Sequence, residues 1–173
     1  MRYNSAVERN QQTGFWRNVI IKITLKKLQN KIGKNMEYKE NILGYEDYCK
    51  LRESVGWQNF PNARQSLKNS LYTITAIKNN QSVGMGRLAG DGMYYMIVDV
   101  VVQPDYQKQG IGSKIVKMLI EYVSASTPAG GRSSIQLIAE KGKESFYEKM
   151  GFKVIPHEFC GSGMRMVIRH NII

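Results

Sequence analysis

Cysteine and histidine are scarce in this sequence of 173 residues. The chain has two of each, at Cys49, Cys160, His157 and His170, and the two cysteines are far apart and form no C-x-x-C pair. These numbers and spacings exclude a disulfide framework and a structural zinc site of ordinary spacing. We therefore expect a reduced protein that uses no metal.

Long apolar runs are also missing. No stretch approaches the roughly 20 uninterrupted apolar residues that a membrane-spanning helix needs. The N-terminus lacks the basic start, apolar middle and small-residue cleavage site of a secretory signal peptide. Apolar residues still make up 42% of the chain, enough for the core of one domain. The sequence thus predicts a cytoplasmic protein with no membrane partner.

The formal net charge of +11 is distributed unevenly. Residues 1–35 have eight basic side chains and one acidic, a net +7, whereas residues 36–173 have seventeen and thirteen, a net +4. Two interpretations of residues 1–35 are open: a basic amphipathic arm for a membrane surface or nucleic acid, or a non-native or flexible extension. We favour the second, with a domain over 36–173, and do not expect nucleic acid as a partner.

The hydrophobic pattern from Met36 onward predicts one mixed α/β domain. Alternating apolar residues and tight turns, including Asn79-Asn80, indicate an antiparallel meander in its middle. The predicted strands cover residues 37–42, 71–77, 82–88, 94–102, 135–139, 154–155 and 164–169. Helical spacing predicts helices over residues 45–55, after Pro61, from the glycine segment to Ser126, and over 144–150.

The glycine segment PDYQKQGIGSK, residues 104–114, lies between a predicted strand and a predicted helix. It lacks the third glycine of the dinucleotide-binding G-x-G-x-x-G motif, and Ser113-Lys114 reverse the order that a P-loop requires. What remains is Gln107-x-x-Gly110-x-Gly112 opening a helix. Successive backbone N–H groups and the helix dipole favour an anion there, and a pyrophosphate would fit. An ordinary glycine-rich turn is the other interpretation.

A second motif, Phe-Tyr-Glu-Lys-Met-Gly-Phe at residues 146–152, lies on the next predicted short helix. Together with the apolar strand 94–102 and the [RQ]-x-x-G-x-[GA] pattern after it, this motif resembles the GNAT superfamily of acetyl-CoA-dependent N-acetyltransferases. The resemblance spans residues 37 to about 170. It implies the α/β (α+β) GNAT fold, a central mixed, mostly antiparallel sheet with a splayed fourth strand and flanking helices. It also implies acetyl-CoA as cosubstrate, and it is compatible with a homodimer, since many members are dimers.

The resemblance implies a role for each matching position. The glycine segment would bind the pyrophosphate of CoA, the edge of a bulged fourth strand would pair with the pantetheine arm, and the N–H near Val100 would point at the thioester carbonyl. The CoA-binding residues implied in this way are Val100, Val101, Val102, Gln107, Lys108, Gln109, Gly110, Ile111, Gly112, Ser113 and Phe146. Lys143 stands where many relatives have an asparagine whose side-chain amide contacts CoA. We expect that Lys143 contacts a phosphate of CoA instead.

Two residues are candidates for proton transfer. By resemblance, Tyr147 would protonate the departing thiolate; a purely structural aromatic residue is the other interpretation. Asp99 is our candidate for drawing a proton from the acceptor ammonium, and a carboxylate bonded to a neighbouring strand is an equal alternative. Trp57 and Phe60 either wall the acceptor site or pack in the core. His157 is interpreted as a solvated loop residue.

The resulting prediction is transfer of the acetyl group of acetyl-CoA to a primary amine of a small molecule or peptide, by direct attack on the thioester. The segments 98–102 and 146–149 are similar to the glucosamine-phosphate acetyltransferase branch, but the acceptor residues of that branch are not recognisable in the N-terminal half. A non-catalytic CoA-binding sensor or scaffold is the alternative from another functional class.

Overall fold

A computed structural model describes residues 36–169, so the predicted extension 1–35 lies outside the described residues. The strands are β1 (Glu37–Glu40), β2 (Tyr72–Lys78), β3 (Gln81–Gly90), β4 (Tyr94–Val102) and β5 (Ser134–Gln136). The helices are α1 (Tyr45–Ser54), α2 (Ala63–Lys68), α3 (Ile111–Ser126) and α4 (Glu144–Glu148), with a 3₁₀ turn at Pro104–Tyr106. Over residues 36–169, every helix is too short or too polar to cross a bilayer.

The sheet has the strand order β1-β2-β3-β4-β5. Strands β1 to β4 pair antiparallel with one another, and β5 runs parallel to β4. The hairpin between β2 and β3 turns at Asn79 and Asn80, whose φ angles of 52° and 60° are those of a two-residue hairpin turn. The predicted mixed, mostly antiparallel sheet is confirmed.

The long helix α3 covers one face of the sheet, and α1 and α2 lie on the other. Ile115, Val116 and Leu119 of α3 are fully buried, and each such side chain contributes about 1.5–3 kcal/mol by burial. The approach of α3 is close enough to require glycine in β3. A Cβ atom on Gly86 would lie 2.5 Å from Cγ2 of Ile115 and 3.2 Å from Cδ1 of Leu119.

The strands predicted at 154–155 and 164–169 are wrong for this structure. In residues 152–169, the backbone forms one isolated bridge, between His157 and Cys160, and no ladder. Alternating apolar residues form a strand only where a neighbouring edge accepts their hydrogen bonds, and β5 ends at Gln136. Met164 and Met166 are accordingly 96% and 85% exposed. The predicted strand 135–139 is likewise shortened to β5.

We predict that Gly86→Ala lowers the free energy of unfolding by about 1–3 kcal/mol, because the added methyl group overpacks the contact between α3 and β3. Urea unfolding monitored by circular dichroism measures the change. Gly161→Ala is the matched control, since a Cβ atom there meets nothing within 4 Å. Equal stability of the two variants would contradict the packing argument.

Candidate active site

The candidate active site lies where β4 and β5 diverge. Their parallel pairing is limited to Tyr94–Met96 against Ser134–Gln136. From Ile97 to Val102, this edge of β4 has no strand neighbour within the described part of the chain. The gap opens into a cleft of about 1080 Å³, a size suited to a large ligand. The splayed fourth strand is thus confirmed.

A β-bulge interrupts β4 beside this cleft. Met85 pairs with Val101 and Arg87 pairs with Val98, so Asp99 and Val100 together face the single residue Gly86. Asp99 has a φ of 50°, a left-handed conformation that is uncommon for a residue other than glycine. Val100 has no partner in the β3 register, and the extra residue of a bulge is released from the ladder.

The loop between β4 and α3 forms a second wall of the cleft. Gly110 precedes α3 with a φ of 81°, and no side chain caps this helix. The N–H of Lys114 donates to the carbonyl of Gly110 at 3.0 Å. The N–H groups of residues 111–113 come before that first helical bond and have no intrahelical acceptor. Together with the positive end of the helix dipole, they form a site suited to an anion.

The short helix α4 packs against the start of α3 and presents Tyr147 to the cleft. A Cβ atom on Gly112 would lie 3.4 Å from Cζ of Phe146, which is an ordinary van der Waals contact, so the two helices lie directly against each other. The ring of Tyr147 meets those of Phe146 and Phe152 edge to face, with centroids 4.9 Å and 6.0 Å away. Its orientation is therefore set by an aromatic ring on each side.

Tyr147 is a protonated phenol at neutral pH. Burial raises the pKa of its hydroxyl above the ordinary value of 10.0, and the charge of Glu140 raises it further. Both Tyr147 and Glu140 line the cleft. A hydroxyl that keeps its proton in this position can supply it to a leaving group.

The cleft brings together nearly all of the residues predicted from sequence. Every predicted CoA-binding residue except Gln109 lines it, and so do Asp99 and Tyr147. Gln109 instead donates from Nε2 to the carbonyl oxygen of Asp105 at 3.1 Å. Gln107 donates from Nε2 to the carbonyl of Val102 at 3.0 Å and so fastens the loop to the end of β4. Lys143 is the exposed residue that precedes α4.

Asp99 is engaged in a buried ionic cluster. Its Oδ2 accepts from Arg87 Nε at 2.8 Å and from the Tyr48 hydroxyl at 3.0 Å, and its Oδ1 accepts from Arg52 Nη1. Burial raises the pKa of Tyr48, and the charge of Asp99 raises it further, so the tyrosine is a proton donor here. This environment matches the alternative interpretation, a carboxylate bonded to a neighbouring strand. The role of Asp99 as a base stays an untested prediction that its contacts do not favour.

Three arginines around the site were not predicted. Arg52 and Arg87 contact Asp99, and Arg165 lines the cleft. The sequence does contain a signal for Arg87, because an arginine among the buried residues of a strand usually has a charged partner, and Asp99 is the one acidic residue of β4. The sequence contains no such signal for Arg165, which lies in the segment wrongly predicted to be a strand.

The remaining candidates are divided between the cleft and the surface. Trp57 lines the cleft and also packs against the buried cluster under α1. Phe60 is exposed and His157 lies in a partly exposed loop, both outside the cleft. Within residues 36–169, no three His, Cys, Asp or Glu side chains are grouped closely enough to hold a metal ion.

Comparison with known proteins identifies the family. Residues 47–168 match the acetyltransferase (GNAT) domain. The chain is 31% identical over 157 residues to the uncharacterized N-acetyltransferase ycf52 of Pyropia yezoensis, with 86% of each chain covered. It is also 31% identical to a probable acetyltransferase of unknown function from Staphylococcus aureus, with a TM-score of 0.67 over 78% of this chain and 100% of that one.

A third protein, a GNAT family acetyltransferase from Brucella melitensis, was solved in complex with acetyl-CoA. It shares the fold at 21% identity and a TM-score of 0.50, over 69% of this chain and 83% of that one. The domain match and the ycf52 relative extend over most of the chain, including the strand, loop and short helix that surround the cleft. This chain therefore belongs to the GNAT superfamily of N-acetyltransferases and is an acetyltransferase.

Proposed function

We propose that this enzyme transfers the acetyl group of acetyl-CoA to a primary amine of a small molecule or peptide. Membership of the family supports acetyl transfer in general. The proposal for the cosubstrate depends on one observation: the free edge of β4 from Ile97 to Val102 lies beside the uncapped N-terminus of α3.

The cleft fits the successive parts of acetyl-CoA. The N–H groups of residues 111–113 suit its pyrophosphate, and Lys108 and Lys143, which also line the cleft, add positive charge. Within residues 36–169, the edge of β4 after Met96 has no strand partner. Its N–H and C=O groups suit the amides of the pantetheine arm, which would add to the sheet as an extra strand. The Brucella melitensis protein of the same fold holds this molecule.

The chemistry requires a neutral amine, a polarised carbonyl and a proton for the leaving sulfur. Acetyl-CoA supplies the thioester; the C–N bond forms as the C–S bond breaks, the acceptor nitrogen loses a proton, and the CoA sulfur gains one. We assign the polarising donor to the N–H of Val100, which the bulge releases from the ladder. A fixed backbone donor of this kind contributes about 3–4 kcal/mol to stabilisation of the transition state.

Tyr147 favours an enzyme over a non-catalytic CoA-binding sensor. Binding of CoA needs no phenol that keeps its proton, whereas such a phenol can protonate a departing thiolate. We place the acceptor at the end of the cleft lined by Val55 and Trp57. Their apolar and aromatic surfaces suit the hydrocarbon part of an amine.

Replacing Gly110 by aspartate is expected to weaken acetyl-CoA binding by more than about tenfold. The substitution forces an L-residue into a left-handed conformation, with φ 81° in the native loop, and adds a negative charge at the expected pyrophosphate position. Calorimetric titration of acetyl-CoA, and separately of adenosine diphosphate, measures the change.

Gly130→Asp is the matched control for this experiment. Gly130 also has a positive φ, 75°, with open space around it, but it lies in the loop between α3 and β5. Wild-type binding by Gly130→Asp with loss in Gly110→Asp is the expected pair of results. A folded wild type that does not bind acetyl-CoA would refute the proposed function.

Tyr147→Phe is expected to lower kcat by about a hundredfold, with the dissociation constant for acetyl-CoA unchanged, because a general acid is lost while the ring remains. Since burial raises the pKa of Tyr147, its hydroxyl stays protonated between about pH 7 and 9. The ratio of wild-type to variant kcat should therefore be constant over that range. Thiol release from acetyl-CoA measures both rates, with Tyr122→Phe, outside the cleft, as control. A ratio that falls with rising pH would contradict the raised pKa of Tyr147, and equal kcat values for the wild type and Tyr147→Phe would exclude Tyr147 as the proton donor.

A further inference from the structure

The residue that forms the bulge, Asp99, adopts a backbone conformation that it would not keep alone. Its φ of 50° is left-handed, and such a conformation persists in a non-glycine residue only where the surroundings enforce it. The side chain of Asp99 is 11% exposed and receives donors from α1 and β3. These contacts tie the side chain of the bulge residue to α1 and β3.

Arg87 holds Asp99 from the sheet side and is itself immobilised. Its Nη1 donates to the carbonyl of Ser66 at 2.9 Å and to the hydroxyl of Ser70 at 2.6 Å, and its Nη2 donates to the hydroxyl of Ser66 at 3.1 Å. Its Nε and Nη2 lie 2.8 Å and 2.7 Å from Oδ2 of Asp99. The guanidinium is therefore a rigid support between α2 and the bulge.

Arg52 holds Asp99 from the helix side and extends to the acceptor end of the cleft. Its Nη1 pairs with Oδ1 of Asp99, and its Nη2 donates to the carbonyl of Gln58 at 2.8 Å. Its guanidinium lies 5.3 Å from the centroid of the Trp57 ring, within cation–π range. Trp57 lines the cleft, so one side chain connects the acceptor wall to the bulge.

We propose that Arg52 and Arg87 are positioning residues, which act through Asp99 to hold the β4 bulge and the N–H of Val100 in place, and that Arg52 couples this donor to the Trp57 wall. The proposal rests on the proposed function, because it treats Val100 as the donor to the thioester carbonyl. Small displacements of such a donor reduce the rate without a comparable loss of binding.

The main test is the Arg52→Met variant, which keeps much of the apolar stem and removes both polar contacts, together with Asp99→Asn. Both are expected to lower kcat by about tenfold or more, while the dissociation constant for acetyl-CoA stays within about twofold of wild type. Hydrogen–deuterium exchange of the peptide covering residues 97–102 should become faster in both variants. A Trp16→Phe background leaves Trp57 as the one tryptophan of the chain. In that background, acrylamide should quench the fluorescence of Trp57 more strongly in both variants than in the protein that keeps Arg52 and Asp99.

Asp47→Asn is the matched control. Asp47 is also on α1 and also bonds to β3, where it accepts from the hydroxyl of Ser82 at 2.6 Å, but it has no contact with the bulge. Its variant should leave exchange at 97–102 and kcat unchanged. Arg52→Lys should recover part of the lost kcat, since lysine keeps the charge but not both contacts.

The outcomes separate this proposal from the proposed function. If the wild type acetylates no amine in a broad panel, the proposed function fails, and exchange at residues 97–102 still decides whether the cluster holds the bulge. Unchanged exchange in Arg52→Met and Asp99→Asn would overturn the proposal. It would also be overturned if their kcat matched that of Asp47→Asn, which would leave the cluster a structural role alone.

Discussion

The free edge of β4 is the constraint on which the rest of the site depends. A buried backbone N–H or C=O group without a partner costs about 1–3 kcal/mol, and β5 stops pairing with β4 after Met96. An unpaired edge of this length is tolerated where water or a ligand supplies the missing hydrogen bonds. The glycine loop, α4 and the acceptor wall all lie around this edge, so the divergence of two strands defines the whole cleft.

The two faces of β3 link this cleft to the core. Gly86 faces α3 and allows its close approach, whereas the next residue, Arg87, points to the other face, towards α1 and α2. The bulge lies opposite Gly86, and the adjacent Arg87 pairs with Val98, the residue before the bulge. Burial of two guanidinium groups with one carboxylate carries a large cost of dehydration, so the ionic cluster is weak evidence for stability. Its geometry is better explained by the need to hold Asp99 in a left-handed conformation.

Much of the fold was predictable because its signals are local. The meander, the turn at Asn79-Asn80, strand 94–102 and helix α3 are encoded by short patterns of apolar residues and turn residues, and all are confirmed. Gly110 and Tyr147 belong to sequence motifs, and the cleft includes both. Motif and pattern are sufficient where the determinants lie within a few residues of each other.

The rest could not be predicted because it depends on pairings between distant residues. Arg52 is separated from Asp99 by 47 positions, and Tyr48 by 51; nothing in either segment indicates the other. The segment 164–169 has the apolar content of a strand but finds no edge to join. Strand formation depends on the neighbour as much as on the sequence of the strand itself.

Both oxygens of the Asp99 carboxylate already accept hydrogen bonds, which affects which group can take the proton of the acceptor amine in the proposed reaction. To take a proton, Asp99 would have to displace a guanidinium or the Tyr48 hydroxyl from one of its oxygens. At the opposite side of the reaction, Tyr147 keeps its proton because of burial and the charge of Glu140. In the proposed reaction, the site would supply a proton to the sulfur and orient the carbonyl, while the acceptor nitrogen would release its proton to water in the open cleft. In the proposed reaction, catalysis therefore depends chiefly on the position of the Val100 N–H, which we propose the arginine cluster fixes.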